Sequence, residues 1–392
     1  MRPALSRRLT GFGTTIFTEV TRLAQQHGAV NLGQGFPDFD GPEFVKQAAI
    51  DAITAGHGQY ARMAGIPALT AAISEKYARH WGLAYDADSE VTVTSGATEA
   101  IWSAMQGLVD TGDEVVIFEP YYDSYKASIL NAGGMPRAVT LHRPAGHESR
   151  WTFDPGALRR AVTERTRAIL VNTPHNPTGK VFTPEELALV AELCEQHDLV
   201  CISDEVYEHL TFGPPHVSIA TLPGMRERTV VISSLGKTFS LTGWKVGWAC
   251  APPRLSAAVR AAHQFVTFAT ATPLQHGAVA ALGAPDSFYS DLSAFYALRR
   301  EQLSAGLEAA GFAVHRPEGS YFVAAGIAHL GDDDVGTVKR LVEQVGVAAI
   351  PPSVFYDHPE HGRDWIRFAF CKREATIAEA VRRLAGLAVA AG

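Results

Sequence analysis

The chain has 392 residues, a formal net charge of −7, 46% hydrophobic and 19% charged residues, the profile of a soluble globular protein with room for about two or three domains. Its charges are mixed along the chain, which argues against a nucleic-acid-binding face or a polybasic membrane patch. No apolar run approaches the ~20 residues of a membrane helix. Four cysteines without a C-x-x-C pair, Cys194, Cys201, Cys250 and Cys371, read as buried reduced thiols of a cytoplasmic protein rather than a disulfide or metal framework. The basic start (Arg2, Arg7, Arg8) lacks the apolar segment of a secretory signal and reads as mature structure.

In chain order, helical periodicity at 42–55 and 67–81 leads into a strand at 91–95 and a helix at 98–109. A strand at 115–118, helices at 124–132 and 155–161, and a strand at 168–172 come next. A helix at 184–197 then precedes three strands, 199–203, 230–234 and 246–250, and a long helix at 253–271. Most of these strands are nearly continuous apolar runs, as expected for a parallel sheet covered on both faces. Several helices begin with proline in the first turn. The remainder reads as a long helix at 288–310, short strands at 313–315, 321–324, 347–350 and 366–370, and a last helix at 374–388. The expectation is an α/β large domain, 42–287, with a mostly parallel central sheet flanked by helices, and a smaller α+β domain from 1–41 and 288–392. With no linker in sight, their boundary falls inside a helix near 286–298, and a cleft lies between two packed lobes.

Five segments carry chemistry. Thr94-Ser95-Gly96-Ala97-Thr98-Glu99 follows a strand and opens a helix, so its N–H groups and the helix dipole can face an anion; there is no G-x-G-x-x-G. Asn172-Thr173-Pro174-His175-Asn176-Pro177-Thr178-Gly179 makes an irregular loop after another strand. Asp204, in Ile202-Ser203-Asp204-Glu205-Val206-Tyr207, ends a buried strand; it reads either as a helix cap or as a carboxylate aimed at a ligand crevice. Lys237 sits among small residues in Ser233-Ser234-Leu235-Gly236-Lys237-Thr238, with Lys245 eight positions on. Such a lysine is either a surface residue or an amine that forms a Schiff base beside a bound phosphate. Arg367, in Trp365-Ile366-Arg367-Phe368, is a strand-edge arginine or a carboxylate clamp. His175, His209, His263 and His276 have no metal-ligand spacing.

Taken in order, these motifs resemble the fold-type I, class I/II aminotransferases dependent on pyridoxal 5'-phosphate (PLP), over nearly the whole chain. Asn31-Leu32-Gly33-Gln34-Gly35-Phe36-Pro37-Asp38-Phe39 and Gly243-Trp244-Lys245-Val246-Gly247-Trp248 are similar to the subgroup of kynurenine aminotransferase, glutamine transaminase K and cysteine-S-conjugate β-lyase. Bacterial methionine and N-succinyldiaminopimelate aminotransferases are close to that subgroup. The resemblance implies that Lys237 holds PLP and then serves as base and acid, and that Asp204 pairs with the ring nitrogen. It puts Asn176 and Tyr207 on the phenolic oxygen and Tyr122 against the ring. Gly96, Ala97, Thr98, Ser234 and Lys245 would surround the phosphate, with Tyr60 reaching it from a neighbouring subunit of a homodimer. Arg367 would grip the substrate α-carboxylate, which the Gly35 backbone also approaches, and Phe17, Phe36 and Phe268 would line the side-chain pocket. Those aromatic residues favour aromatic, kynurenine, methionine or glutamine-like donors. A succinyl-diaminopimelate donor would want a further cation such as Arg62, and a β-lyase would use the same lysine, aspartate and arginine.

Overall fold

A computed structural model describes residues 6–144 and 150–390, so Arg2 of the basic start lies outside the described residues. At its centre is a seven-stranded sheet, ordered Val91–Thr94, Gly247–Cys250, Thr229–Ser234, Val200–Asp204, Thr166–Asn172, Glu114–Glu119, Met135–Thr140. Neighbours are parallel except around Gly247–Cys250, which runs antiparallel to the strands on either side. The six strands expected from the sequence all form, and their apolar continuity has a visible cause. Ala168, Leu170, Ile202 and Ile232 pack on one face with Ala100 and Met105 of helix Gly96–Leu108 and with Leu255 and Val259 of helix Pro253–Val266. On the other face, Ile169, Val171 and Cys201 meet Leu187, Val190 and Cys194 of helix Pro184–Gln196. Each fully buried aliphatic side chain there stabilises the fold by about 1.5–3 kcal/mol.

The sequence reading missed the seventh strand, Met135–Thr140. It is an edge strand with alternating exposure and a proline, Pro136, which an edge tolerates because half its ladder is unpaired. The helix expected to run through 253–271 stops at Val266, and a separate helix, Thr272–Leu282, follows a break in which Phe268 takes φ 66°. The first 41 residues also contain an unanticipated helix, Ile16–His27, between a Thr15 cap that accepts from the Thr18 N–H and a left-handed Gly28.

The rest of the chain builds smaller sheets. Trp365–Ala369, Phe322–Gly326 and Ala313–His315 form an antiparallel sheet, and Val30–Asn31 pairs in parallel with Val347–Ala348. Helices Ile16–His27, Asp286–Ala309 and Glu374–Ala390 enclose them around a separate core that includes Val20, Leu303, Leu307, Phe368 and Leu384. The 24-residue helix Asp286–Ala309 joins the two cores: Tyr289 packs in that of the large sheet, while Leu303 and Leu307 pack in the other. Near its start Phe288 stacks on Phe239, with centroids 4.9 Å apart and planes at 12°. All four cysteines are buried free thiols.

Among the described residues, a lysine–glutamate pair lies wholly inside. Lys76 and Glu208 are hydrogen-bonded with 2% of each side chain exposed. Ser233 Oγ also donates to Glu208 at 2.7 Å, and the Lys76 ammonium sits over the rings of Trp81 and Trp248 at 5.1 and 5.2 Å. Removing one member of such a pair strands a buried charge. Lys76→Met is therefore expected to destabilise the protein by about 3–5 kcal/mol, read as a lower denaturation midpoint, and Lys76→Met with Glu208→Gln to recover much of that loss. Equal midpoints for Lys76→Met and the unaltered chain would contradict the pair's role.

Candidate active site

The carboxyl ends of parallel strands open on one edge of a sheet, where side chains can converge on a ligand. Here register sharpens that rule. Asn172 lies opposite Asp204 at the ends of adjacent strands, and Gly247 pairs with both Thr94 and Ser234. A cavity of about 240 Å³ opens at this edge, lined by Gly96, Ala97, Thr98, Tyr122, Tyr125, Asn172, Asn176, Asp204, Tyr207, Ser234, Lys237, Thr242 and Lys245 among others. Apart from Tyr60, every expected cofactor residue borders this one space.

At one end the groups suit an anion. Gly96 opens helix Gly96–Leu108 with φ 77°, leaving the N–H groups of its first turn without intrahelical partners. Lys245 reaches over it, its Nζ 3.2 Å from where a Cβ on Gly96 would stand. A Cβ on Gly247 would lie 2.6 Å from the Gly96 carbonyl carbon and 2.7 Å from the Ala97 nitrogen, so only glycine lets the strand approach the turn. Lys245 itself adopts φ 54°, a left-handed conformation that costs a side-chain-bearing residue on the order of 1 kcal/mol. A phosphate fits this cradle.

Asp204 is buried at the carboxyl end of its strand. The Tyr125 hydroxyl donates to Asp204 Oδ2 at 2.6 Å and the Val206 N–H to Oδ1 at 3.3 Å. Burial nevertheless raises its pKa to about 6, against the pull of those hydrogen bonds. Asn172 donates to the Asp204 carbonyl at 2.9 Å and accepts from the Asn176 N–H at 2.8 Å, fixing the Asn176 loop to the same strand ends.

Lys237 rises from the short helix Leu235–Thr238. Burial pushes its pKa down to about 8; the neighbouring Cys371 and Asp204 oppose that shift, while Arg367 and Lys245 add to it. Its Nζ donates a long hydrogen bond, 3.5 Å, to the Gly35 carbonyl and lies 5.6 and 5.7 Å from the ring centroids of Tyr207 and Tyr321. The site thus offers a partly neutral amine, a carboxylate and an anion cradle around one cavity, which fits a phosphorylated pyridine aldehyde.

Arg367 is 1% exposed, and burial lowers its pKa to about 10. It donates through Nη1 to Asn176 Oδ1 at 3.0 Å and through Nη2 to the Gly33 carbonyl at 2.7 Å, while its buried Nε has no partner. Three rings surround the guanidinium, those of Phe322, Phe17 and Phe355, at 4.1, 5.4 and 5.9 Å. Gly35 abuts this group so tightly that a Cβ would fall 2.7 Å from Phe322 Cζ. Phe17 packs on Phe355 at 5.7 Å, whereas Phe36 is exposed, with the Lys372 ammonium over its ring.

Two expected residues stand elsewhere. Tyr60 and Phe268 lie edge to face at 5.6 Å, 86% and 44% exposed, and neither lines the cavity of its own chain. Arg62 is engaged at the surface, with Asp88 at 2.5 Å and the Gly65 carbonyl at 3.1 Å. The sequence reading gave no site role of their own to Tyr125, Asn172, Tyr321 and Phe355. Tyr125 had a usable signal, since it follows Tyr122 by three positions at the start of helix Asp123–Ala132 and so shares its face.

The family model for aminotransferase class I and II matches residues 27–384. The chain is 48% identical to the "Probable N-succinyldiaminopimelate aminotransferase DapC" of Mycobacterium tuberculosis, covering 97% of this chain and 98% of that one. It is 40% identical to the mouse kynurenine–oxoglutarate transaminase 1, covering 97% and 96% respectively. Its fold matches the solved structure of YbdL from Escherichia coli, identified there as having a methionine aminotransferase function, with a TM-score of 0.93, 40% identity and coverage of 98% and 100%.

Because only the neutral amine attacks an aldehyde, the lowered pKa of Lys237, about 8, predicts how the cofactor-free protein captures PLP. The capture rate, followed by absorbance, should climb about tenfold per pH unit below that value and level off above it. A profile still climbing steeply to pH ~10, the ordinary lysine range, would contradict the desolvated amine.

Proposed function

The chain belongs to the class I and II aminotransferases, and on that footing we propose that its PLP-dependent exchange takes an L-amino acid with an apolar or aromatic side chain as donor and a 2-oxo acid as acceptor in this cavity. When bound, PLP supplies an aldehyde that exchanges amines and a ring that accepts electrons as the α C–H bond breaks. The protein does the rest. Lys237 Nζ would hold the cofactor between turnovers; once freed, it would take the α-proton and return it to the carbon on the other side of the transferred nitrogen. Asp204, ionised, would keep the pyridine nitrogen protonated. Asn176 and Tyr207 would hold the phenolic oxygen, with Tyr122 beside the ring. The Gly96–Ala97–Thr98 turn, Ser234 and Lys245 would hold the phosphate. Arg367 binds the substrate α-carboxylate, its unpartnered Nε supplying a donor that no protein group uses. Both half-reactions use one site, so kinetics are ping-pong.

The observation that carries this reading is the meeting of Lys237, Asp204 and Asn176 on one 240 Å³ cavity, with Arg367 hydrogen-bonded to Asn176. The preference for apolar donors rests on the three rings around Arg367. A second reading, an N-succinyldiaminopimelate donor, is favoured by the 48% identity to the M. tuberculosis protein of that name. Elimination of a β-leaving group, as a cysteine-S-conjugate lyase performs, would draw on the same residues. The exposed Tyr60–Phe268 pair supports a homodimer in which each chain completes its partner's site, and lobes 42–287 and 1–41 with 288–392 would close over the substrate.

Three measurements test these roles. Lys237→Ala is expected to abolish turnover and the pyridoxyl label left on that peptide by borohydride; sustained transamination by the variant would refute the lysine's role. A donor panel of phenylalanine, kynurenine, methionine, glutamine and succinyl-diaminopimelate, scored by single-turnover kcat/KM, should favour the first four by about tenfold or more; the reverse order would establish the second reading. Sedimentation of the active enzyme as a monomer would remove the proposed role of Tyr60.

A further inference from the structure

Tyr321 heads the strand expected at 321–324; in the structure it directly precedes strand Phe322–Gly326 and is fully buried. Its hydroxyl donates a 2.6 Å hydrogen bond to the Gly35 carbonyl, the same oxygen that receives the Lys237 amine at 3.5 Å. The Tyr321 ring stands edge-on to that of Tyr207, with centroids 5.1 Å apart and planes at 86°, and lies 5.7 Å from Lys237 Nζ.

Gly35 belongs to a stretch, residues 32–42, without helix or strand; side chains pin its neighbours, Arg367 the Gly33 carbonyl and Lys372 the Phe36 carbonyl, and Tyr321 pins the Gly35 carbonyl between them. Tyr321 is anchored on both sides: the Phe370 N–H donates to its carbonyl and the Ser320 N–H to the Leu210 carbonyl, each at 2.9 Å. Of the two groups that meet the Gly35 carbonyl, the tyrosine hydroxyl makes the short hydrogen bond and the lysine the long one. We propose that Tyr321 is a positioning residue, its hydroxyl fixing the Gly35 carbonyl on which the Lys237 amine rests and so aiming that amine's lone pair into the cavity. The chemistry is directional. A carbonyl oxygen only accepts, so a neutral amine meets it with an N–H, and its lone pair must point elsewhere. A carbonyl free to wander would leave the lone pair free to wander with it.

The inference rests on the role proposed for Lys237, and the test keeps the two apart. Tyr321→Phe retains the ring that packs on Tyr207 and Phe322 and removes only the oxygen. Cofactor-free protein is mixed with PLP, whose capture needs an aimed amine, and separately with pyridoxamine phosphate, which makes no bond to lysine. Tyr321→Phe is expected to slow PLP capture by about tenfold or more while leaving pyridoxamine phosphate affinity within about threefold, and to lower kcat for an amino-acid donor far more than it changes KM. Capture at the unaltered rate overturns the proposal. So does a parallel loss of affinity for both forms, which would mark a tyrosine that merely shapes the pocket. Borohydride labelling of the unaltered chain checks the lysine itself: no label at Lys237 sinks the underlying role, whereas a labelled chain with an unslowed variant sinks this inference alone.

Discussion

A single antiparallel strand decides where the chemistry sits. Gly247–Cys250 lies between Val91–Thr94 and Thr229–Ser234, and its first residue pairs with the last residue of each. That places the Gly96 turn beside the segment carrying Lys237, although the two are far apart in sequence. The approach is so close that glycine at 247 is the only residue without a collision. Parallel pairing then extends the row to Asp204 and Asn172. Anion cradle, amine and carboxylate meet because one reversed strand stitches their carriers together.

Desolvation tunes what this arrangement collects. Removing water penalises charge of either sign, so the same burial raises Asp204 from the ordinary carboxylate range to about 6 and lowers Lys237 from the lysine range to about 8. An acid and a base that differ widely in water are brought close together near neutrality. An amine of this kind can take up and release a proton in turn, which is what a proton shift between two carbons flanking a nitrogen requires. Arg367 pays the same penalty and remains a cation, because its starting basicity is higher.

Much of this was legible in the sequence for a physical reason. Strands buried on both faces must be apolar throughout, so the six central ones announced themselves, and the residues at their carboxyl ends followed. The failures have equally specific causes. Met135–Thr140 is half-exposed and carries a proline, so it lacks the pattern of its neighbours. Nothing in Phe265–Ala271 marks the helix break, since the left-handed residue is Phe268 rather than a glycine or asparagine. Tyr321 heads an apolar run and so looks like packing, and Tyr125 offers only its spacing from Tyr122; the partner of each hydroxyl, the Gly35 carbonyl in one case and Asp204 in the other, is what sets it apart. Tyr60 and Phe268 illustrate a different gap: the roles proposed for them would depend on a second copy of the chain.

The helix Asp286–Ala309 carries a mechanical consequence. It starts with Phe288 stacked on Phe239, two residues beyond Lys237 in the chain, and ends deep in the other core. At about 1.5 Å per residue it is a stiff rod roughly 36 Å long. A tilt of about 5° at the aromatic stack would sweep its far end through about 3 Å. A small local rearrangement beside the lysine would therefore become a displacement as large as an atom's diameter at the helix's far end, in the other core.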